Sequence, residues 1–157
     1  LKEKQNLCSK IGSDVILGVD QKNLVLVYKN KIKKIEKKLK IFTLLIKPNF
    51  GCSSKNIYAQ VRNYSKPQFF NTKSKNINFN TLSKMKNDLE VISFKLYPRL
   101  RKIRQFFLNI DKNSYVRMTG SGSTIVGYFM SKKAALNAKK LLKKKYKNYW
   151  CNLSKTI

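Results

Sequence analysis

The segment Arg117-Met118-Thr119-Gly120-Ser121-Gly122-Ser123, running directly into Thr124-Ile125-Val126-Gly127-Tyr128-Phe129, constrains this chain more than any other stretch. Two glycines spaced by one serine permit positive backbone angles, and with them a turn whose N–H groups converge on one point. Such a turn is a small nest for an anion. The residues that follow it read as a β-strand, not a helix. That excludes the phosphate loops of the common nucleotide-binding domains, which open a helix. A plain hairpin turn is the simpler reading of the same residues.

A chain of 157 residues, 42% of them apolar, is one domain or a large part of one, long enough to bury a core. It starts on Leu1 rather than Met, so the expectation is a piece that has lost its natural start. The apolar stretch Ile41–Ile46 is too short to cross a membrane, and no charged-then-apolar leader opens the sequence. The cytoplasm is the expected location, with no membrane partner. The net charge of +28 predicts attraction to polyanions and phosphate ligands. Yet 30 of the basic residues are Lys and only 5 are Arg, the residue whose fork reads phosphates and bases. The Lys residues are also scattered through every segment, as on a solvated surface, so no specific nucleic-acid partner is expected.

Histidine is absent, which removes Ser-His-Asp and Cys-His chemistry, histidine proton shuttles and most zinc sites. Cys8, Cys52 and Cys151 are dispersed and odd in number, as expected of reduced, mostly buried thiols. No metal-ligand cluster is evident. Carboxylate chemistry is confined to Glu3, Asp14, Asp20, Glu36, Asp88, Glu90 and Asp111.

Along the chain, residues 1–10 read as the last turns of a helix, with Leu7 and Ile11 on one side and Gly12 as the stop. Leu24–Tyr28 and Lys31–Ile35 read as a hairpin around Lys29-Asn30, and Ile41–Lys47 as a buried strand. Ser53 or Ser54 can cap a helix reaching about Asn63. Residues 65–83, with Pro67 and several Asn, read as a surface loop. A short helix over Asp88–Leu96 has Leu89, Ile92 and Leu96 inward. Pro98 opens another, with the stripe Leu100, Ile103, Phe107 and Ile110. Ser114–Met118 and Ser123–Met130 are paired strands around the glycine loop. Ser131 caps a last helix with Ala134, Ala138, Leu141 and Leu142 on one face, and Tyr149–Leu153 closes with a strand. The expected fold is α+β, a ferredoxin-like antiparallel sheet with helices packed on one face.

Asp14 lies in Ile11-Gly12-Ser13-Asp14-Val15, between a helix end and an apolar run. It is either a turn or cap residue, or a carboxylate placed to accept a proton from a substrate hydroxyl. Phosphoryl transfer needs such a base together with a phosphate cradle. Gly12-Ser13-Asp14-Val15 resembles the Gly-Ala-Asp-Val motif of the kinases that phosphorylate 4-diphosphocytidyl-2-C-methyl-D-erythritol. That family belongs to the galactokinase, homoserine kinase, mevalonate kinase and phosphomevalonate kinase (GHMP) superfamily. Further segments follow in the family's order. Lys47-Pro48-Asn49-Phe50-Gly51-Cys52-Ser53-Ser54 with Ile57-Tyr58 resembles its Pro-centred segment, and Asn87-Asp88-Leu89-Glu90 its Asn-Asp-Leu-Glu. Met118-Thr119-Gly120-Ser121-Gly122 is similar to its third glycine motif, a loop between two strands.

The resemblance implies a C-terminal portion of such a kinase. Residues 1–40 would end the N-terminal kinase domain and 41–157 would form the GHMP kinase C-terminal domain. It implies transfer of the ATP γ-phosphate to the 2-hydroxyl of the cytidyl alcohol, in non-mevalonate isoprenoid precursor biosynthesis. Asp14 would be the base. Tyr58 would stack on the cytosine, its other reading being a helix-face core residue. Thr119, Gly120, Ser121 and Gly122 would line the substrate and phosphate pocket through backbone N–H groups, with help from the Ser121 and Ser123 hydroxyls as a lesser expectation. Asp88 and Glu90 read as a charge pair favoured at a helix N-terminus. ATP and its Mg²⁺ would be held mainly by the family's first half, which carries the ATP loop, so these residues alone are expected to be inactive.

The sequence departs from the family at Ile16, where Pro is common, and at Tyr28-Lys29-Asn30-Lys31, where a Gly-x-Gly-Glu turn is common. Two other readings stand beside this one. One is a GHMP kinase for another alcohol. The other is a basic ferredoxin-like RNA-binding module, which needs exposed strand aromatics in a set basic-Gly-aromatic pattern; Ser123–Met130 offers Tyr128 and Phe129 without it.

Overall fold

The computed structural model describes residues 2–12, 15–19, 23–27, 31–35, 39–66 and 78–156. It divides into two units. One comprises residues 1–39, 66–85 and 157, the other residues 40–65 and 86–156.

In the first unit, helix α1 (Lys2–Ile11) ends where Gly12 N–H donates to Cys8 O at 2.9 Å. Its burial departs from the expected face. Cys8 is buried, whereas Leu7 and Ile11 are 62% and 69% exposed. A single turn of 3-10 helix spans Val15–Gly18. Strands β1 (Asn23–Val27) and β2 (Lys31–Ile35) pair antiparallel, Val25 opposite Lys33. Helix α2 (Ser54–Ala59) belongs to the second unit. Helix α3 (Phe79–Ser83) falls within the stretch expected to be a loop. The Asn78 side chain caps it by accepting from Thr81 N–H at 2.9 Å.

The second unit carries a four-stranded sheet in the order β4-β5-β3-β6, every neighbouring pair antiparallel. Its strands are β3 (Phe42–Lys47), β4 (Tyr115–Met118), β5 (Ile125–Phe129) and β6 (Trp150–Lys155). Helices α4 (Leu89–Leu96) and α5 (Pro98–Leu108) separate β3 from β4, and α6 (Lys132–Lys145) separates β5 from β6. This is the ferredoxin-like layout. Alternate strand residues Leu44, Ile46, Val116, Met118, Ile125 and Phe129 form one core with Leu100, Ile103 and Phe107 of α5 and Ala135, Ala138 and Leu142 of α6.

Two helix stripes differ from expectation by one position. In α6 the buried residues are Ala135, Ala138 and Leu142, while Leu141 is 37% exposed. The adjacent pairs Ala134-Ala135 and Leu141-Leu142 leave that frame ambiguous in sequence. In α4 the buried residues are Leu89 and Ser93, and Leu96 is exposed.

Gly127 in β5 shows why the hairpin closes so tightly onto α5. A Cβ there would fall against the Phe107 ring, and Phe107 is fully buried. Helix α2 (Ser54–Ala59) is shorter than expected, ending at Gln60 rather than near Asn63. Ser53 caps it, its Oγ accepting from Asn56 N–H. Among the described residues no helix is long and apolar enough to cross a membrane.

Candidate functional site

The glycine loop joins β4 to β5. Thr119 N–H donates to Thr124 O at 2.9 Å and Gly122 N–H to Thr119 O at 2.8 Å, so the loop is a hairpin turn. The simpler sequence reading is therefore correct as local structure, but the turn is anchored in a way that hairpin closure does not require. Gly120 and Gly122 have φ of +49° and +97°, angles that favour glycine. A Cβ at Gly122 would also lie 2.9 Å from Met118 Sδ and 3.3 Å from Cys52 Sγ. The Gly122–Ser123 peptide is cis.

Side chains from two other segments, residues 87–93 and Ser54, hold this loop. Asn87 Nδ2 donates to Met118 O at 3.0 Å and to Gly120 O at 2.8 Å, while its Oδ1 accepts from Leu89 N–H at 3.0 Å. Glu90 Oε1 accepts from Met118 N–H at 2.6 Å, and its Oε2 lies 3.7 Å from Arg104 Nε. Fully buried Ser93 donates through Oγ to Ser121 O at 3.3 Å. Ser54 Oγ and Ser121 Oγ share a hydrogen bond of 2.7 Å, and Tyr97 Oη accepts from Ser53 N–H at 2.9 Å. The Pro-centred segment and the Asn-Asp-Leu-Glu segment, far apart in sequence, are thus each bonded to the glycine motif.

The polarity of this anchoring matters. The carbonyls of Met118, Thr119, Gly120 and Ser121 all accept hydrogen bonds. Among the described residues, no protein acceptor is recorded for the N–H groups of Gly120 and Ser121. Gly120 is exposed and Ser121 half-buried. A loop whose carbonyls are turned inward and whose spare amides remain presents positive potential, as an anion site requires.

The other expected site residues fall as follows. Tyr58 on α2 is 52% exposed, and the buried residue of that helix is its neighbour Ile57. The core-residue reading of Tyr58 is thereby corrected, and its ring is open to a ligand. Thr119 is exposed, with Oγ1 3.4 Å from Thr124 O. Ser123 is 5% exposed, so its hydroxyl does not present itself to a ligand as Ser121 can. Asp14 lies outside the described residues.

Asp88 and Glu90 stand at the N-terminus of α4 as expected, Asp88 at the cap and Glu90 in the first turn, and both carboxylates also reach other segments. Asp88 Oδ2 accepts from Ser65 N–H and Oγ–H, and Glu90 reaches the loop. Both accept from protein donors, and among the described residues no three or more His, Cys, Asp or Glu side chains are grouped as a metal cluster.

Of the cysteines, Cys8 is buried, Cys52 and Cys151 are half-buried, and all are free. Burial pushes the Cys52 thiol above its ordinary value. The residues that sequence reasoning left without a role at the loop are Asn87, Ser93 and Ser54. The signal for Asn87 was its place in a recognised segment. Nothing local could show that its amide reaches the loop.

The family model described as "GHMP kinases C terminal" matches residues 69–148. The chain belongs to the GHMP kinases. A 4-diphosphocytidyl-2-C-methyl-D-erythritol kinase of Pelagibacter ubique is 43% identical over 155 residues, covering 99% of this chain and 55% of that protein. The kinase of the same name from Clostridium tetani is 31% identical over 122 residues, covering 74% of this chain and 42% of its own length. The chain thus spans about half the length of the relatives it matches.

Solved kinase structures share the fold. A homoserine kinase from Cytophaga hutchinsonii superposes with a TM-score of 0.64 at 11% identity, covering 94% of this chain and 55% of its own. A 4-(cytidine 5'-diphospho)-2C-methyl-D-erythritol kinase gives 0.60 at 22%, covering 92% of this chain and 54% of its own. The RNA-module alternative loses its footing as well. Phe129 is in the core, and Tyr128 is half-buried and stacked on Tyr115 with ring centroids 4.4 Å apart.

Proposed function

We propose that this chain forms the substrate-facing portion of an ATP-dependent kinase for 4-diphosphocytidyl-2-C-methyl-D-erythritol, acting on the 2-hydroxyl in isoprenoid precursor synthesis. The observation that carries the reading is the inward anchoring of the loop carbonyls by Asn87, Ser93 and the turn itself, which leaves the Gly120 and Ser121 amides as donors. Residues 1–40 end the N-terminal kinase domain and residues 41–157 form the C-terminal domain. ATP is held chiefly by residues that precede this stretch in the whole protein. Any Mg²⁺ brought by the nucleotide would supply charge neutralisation at the phosphates, held chiefly by those same preceding residues. The partners are small molecules in the cytoplasm, and the net charge of +28 steers these anions inward.

Each residue has a separable task. Tyr58 stacks its exposed ring on the cytosine, which orients the alcohol. The amides of Gly120 and Ser121, with the Ser121 hydroxyl beside them, hold a phosphate oxygen, while the Thr119 and Gly122 amides are used by the turn itself. Such fixed donors need no reorganisation as charge redistributes during transfer, and one of them is worth about 10²–10³ in rate. Asp14 accepts the hydroxyl proton as the oxygen attacks the γ-phosphorus. The P–O bond to the β-phosphate then breaks and ADP leaves with the electron pair.

The test is Asp14→Asn in the whole protein. It should lower kcat by several orders of magnitude with KM for the cytidyl alcohol little changed. Turnover within tenfold of the parent would remove Asp14 from the mechanism.

A further inference from the structure

We infer that Asn87 is the positioning residue of this site: its side-chain amide holds the Met118 and Gly120 carbonyls of the glycine loop so that the Ser121 N–H faces an anionic ligand, beside the Gly120 N–H that the turn itself aims. The inference rests on the proposed function for the identity of that ligand, a phosphate of the substrate or nucleotide.

In a trans peptide the N–H points opposite to the C=O of the same unit. Holding a carbonyl therefore aims the amide of the following residue. Asn87 Nδ2 holds Gly120 O at 2.8 Å, which turns Ser121 N–H away from α4. Its second bond, to Met118 O at 3.0 Å, turns Thr119 N–H toward Thr124 O, where it closes the hairpin. Gly122 N–H holds Thr119 O, which aims Gly120 N–H outward in the same way. One planar NH₂ group thus grips carbonyls two residues apart, on either side of the turn's first corner. Glu90 complements it by taking Met118 N–H at 2.6 Å, so Met118 is bonded on both its polar groups.

Asn is suited to this for a specific reason. Its two δ protons serve the loop while its Oδ1 accepts from Leu89 N–H and starts α4. Aspartate keeps the second task and loses the first. It has no proton to donate, and its charge faces two carbonyl oxygens that it would repel. Serine likewise keeps an acceptor for the helix start but cannot span both carbonyls. The two roles of Asn87, helix start and loop orientation, can therefore be separated by substitution.

The experiment is a ¹H–¹⁵N titration of the 157-residue chain with inorganic pyrophosphate at fixed ionic strength, for the parent, Asn87→Asp and Asn87→Ser. In the parent, the Gly120 and Ser121 amides should move downfield on saturation, and the Asn87 δ protons should be protected from exchange before any ligand is added. Both variants should bind about tenfold to a hundredfold more weakly, the loss expected for donors to a charged ligand. Their Ser121 shift should collapse while the Leu89 amide stays in place. If either folded variant binds like the parent with the same amide shifts, Asn87 only starts the helix and the inference is wrong. It is also wrong if the parent's Gly120 and Ser121 amides ignore pyrophosphate. Failure of the kinase reading is a separate result: absence of turnover of the cytidyl alcohol in the whole protein, with these shifts intact.

Discussion

Replacing Gly127 with alanine tests the packing that holds the glycine loop in place. Gly127 lies in ordinary extended backbone of β5, opposite Val116 of β4 and Leu44 of β3. At such a position alanine should be preferred over glycine by about 0.5–1 kcal/mol, because glycine loses more freedom on folding. The added Cβ, however, would fall on Phe107, 2.6 Å from its Cε2, and 3.0 Å from Phe129 Cε2. Phe107 and Phe129 are fully buried and their ring centroids are 6.0 Å apart, so neither ring has free space to enter. Overpacking of this kind costs about 1–3 kcal/mol, and a methyl set into a ring face lies at the upper end. The net is a loss of about 2 kcal/mol, or roughly 4–8 °C in Tm for a chain of this size. Urea unfolding followed by near-ultraviolet circular dichroism reads it directly. The Gly127→Ala/Phe107→Leu double variant should recover part of the loss, with at least ~1 kcal/mol of non-additivity between the two sites. Gly127→Ala as stable as the parent would mean that β5 does not face α5 in this register.

The remaining predictions concern the loop's buttress and the buried acids. Glu90→Ala leaves Met118 N–H without its acceptor and Arg104 without its carboxylate, and should cost about 3 kcal/mol, whereas Glu90→Gln keeps an acceptor and should cost about 1 kcal/mol; equal denaturant midpoints for the two variants would contradict this role. Burial holds Tyr115, Tyr128 and Tyr146 protonated above the ordinary 10.0 for tyrosine, and Cys52 and Cys151 above the ordinary 9.0 for a thiol. The unfolded chain releases these protons first, so this stabilisation is intact below about pH 9 and declines as pH rises above it. Absorbance at alkaline pH should show Tyr115 and Tyr128 ionising only as the chain unfolds, and titration of every tyrosine near its ordinary value in the folded state would refute their burial. On the functional reading, the 157 residues by themselves transfer no phosphate from ATP to the cytidyl alcohol. ATP-dependent turnover by this stretch in a coupled assay would refute the division of labour between the two halves.

The order of strands and helices in the second unit was legible because its elements carry strong local signals. Val116 and Met118 alternate with polar neighbours, Pro98 opens α5, and Ser131 caps α6 through Ala134 N–H. Where signals were thin, the reading failed. Helix α1 has few apolar residues among lysines, so the pattern could not reveal that Cys8 faces inward instead of Leu7 and Ile11. Helix α3 was hidden in an Asn-rich segment whose composition reads as loop, although Asn78 three residues before Thr81 is a usable cap. The site was half legible. The glycine loop, Tyr58 and the segments around them stood out as residue patterns. The bonds from Asn87, Glu90 and Ser93 to the loop span about thirty residues each, and such contacts follow from tertiary packing that no local pattern encodes.

The shared fold alone does not choose the alcohol, since a homoserine kinase and a cytidyl-methylerythritol kinase superpose on this chain about equally well. The most direct measurement is therefore a competition in the whole protein. ATP is supplied with equal concentrations of 4-diphosphocytidyl-2-C-methyl-D-erythritol and homoserine, and the phosphorylated products are separated and counted. The account predicts phosphorylation of the cytidyl alcohol alone. Phosphorylated homoserine as the main product, or no phosphorylated cytidyl alcohol, would contradict it.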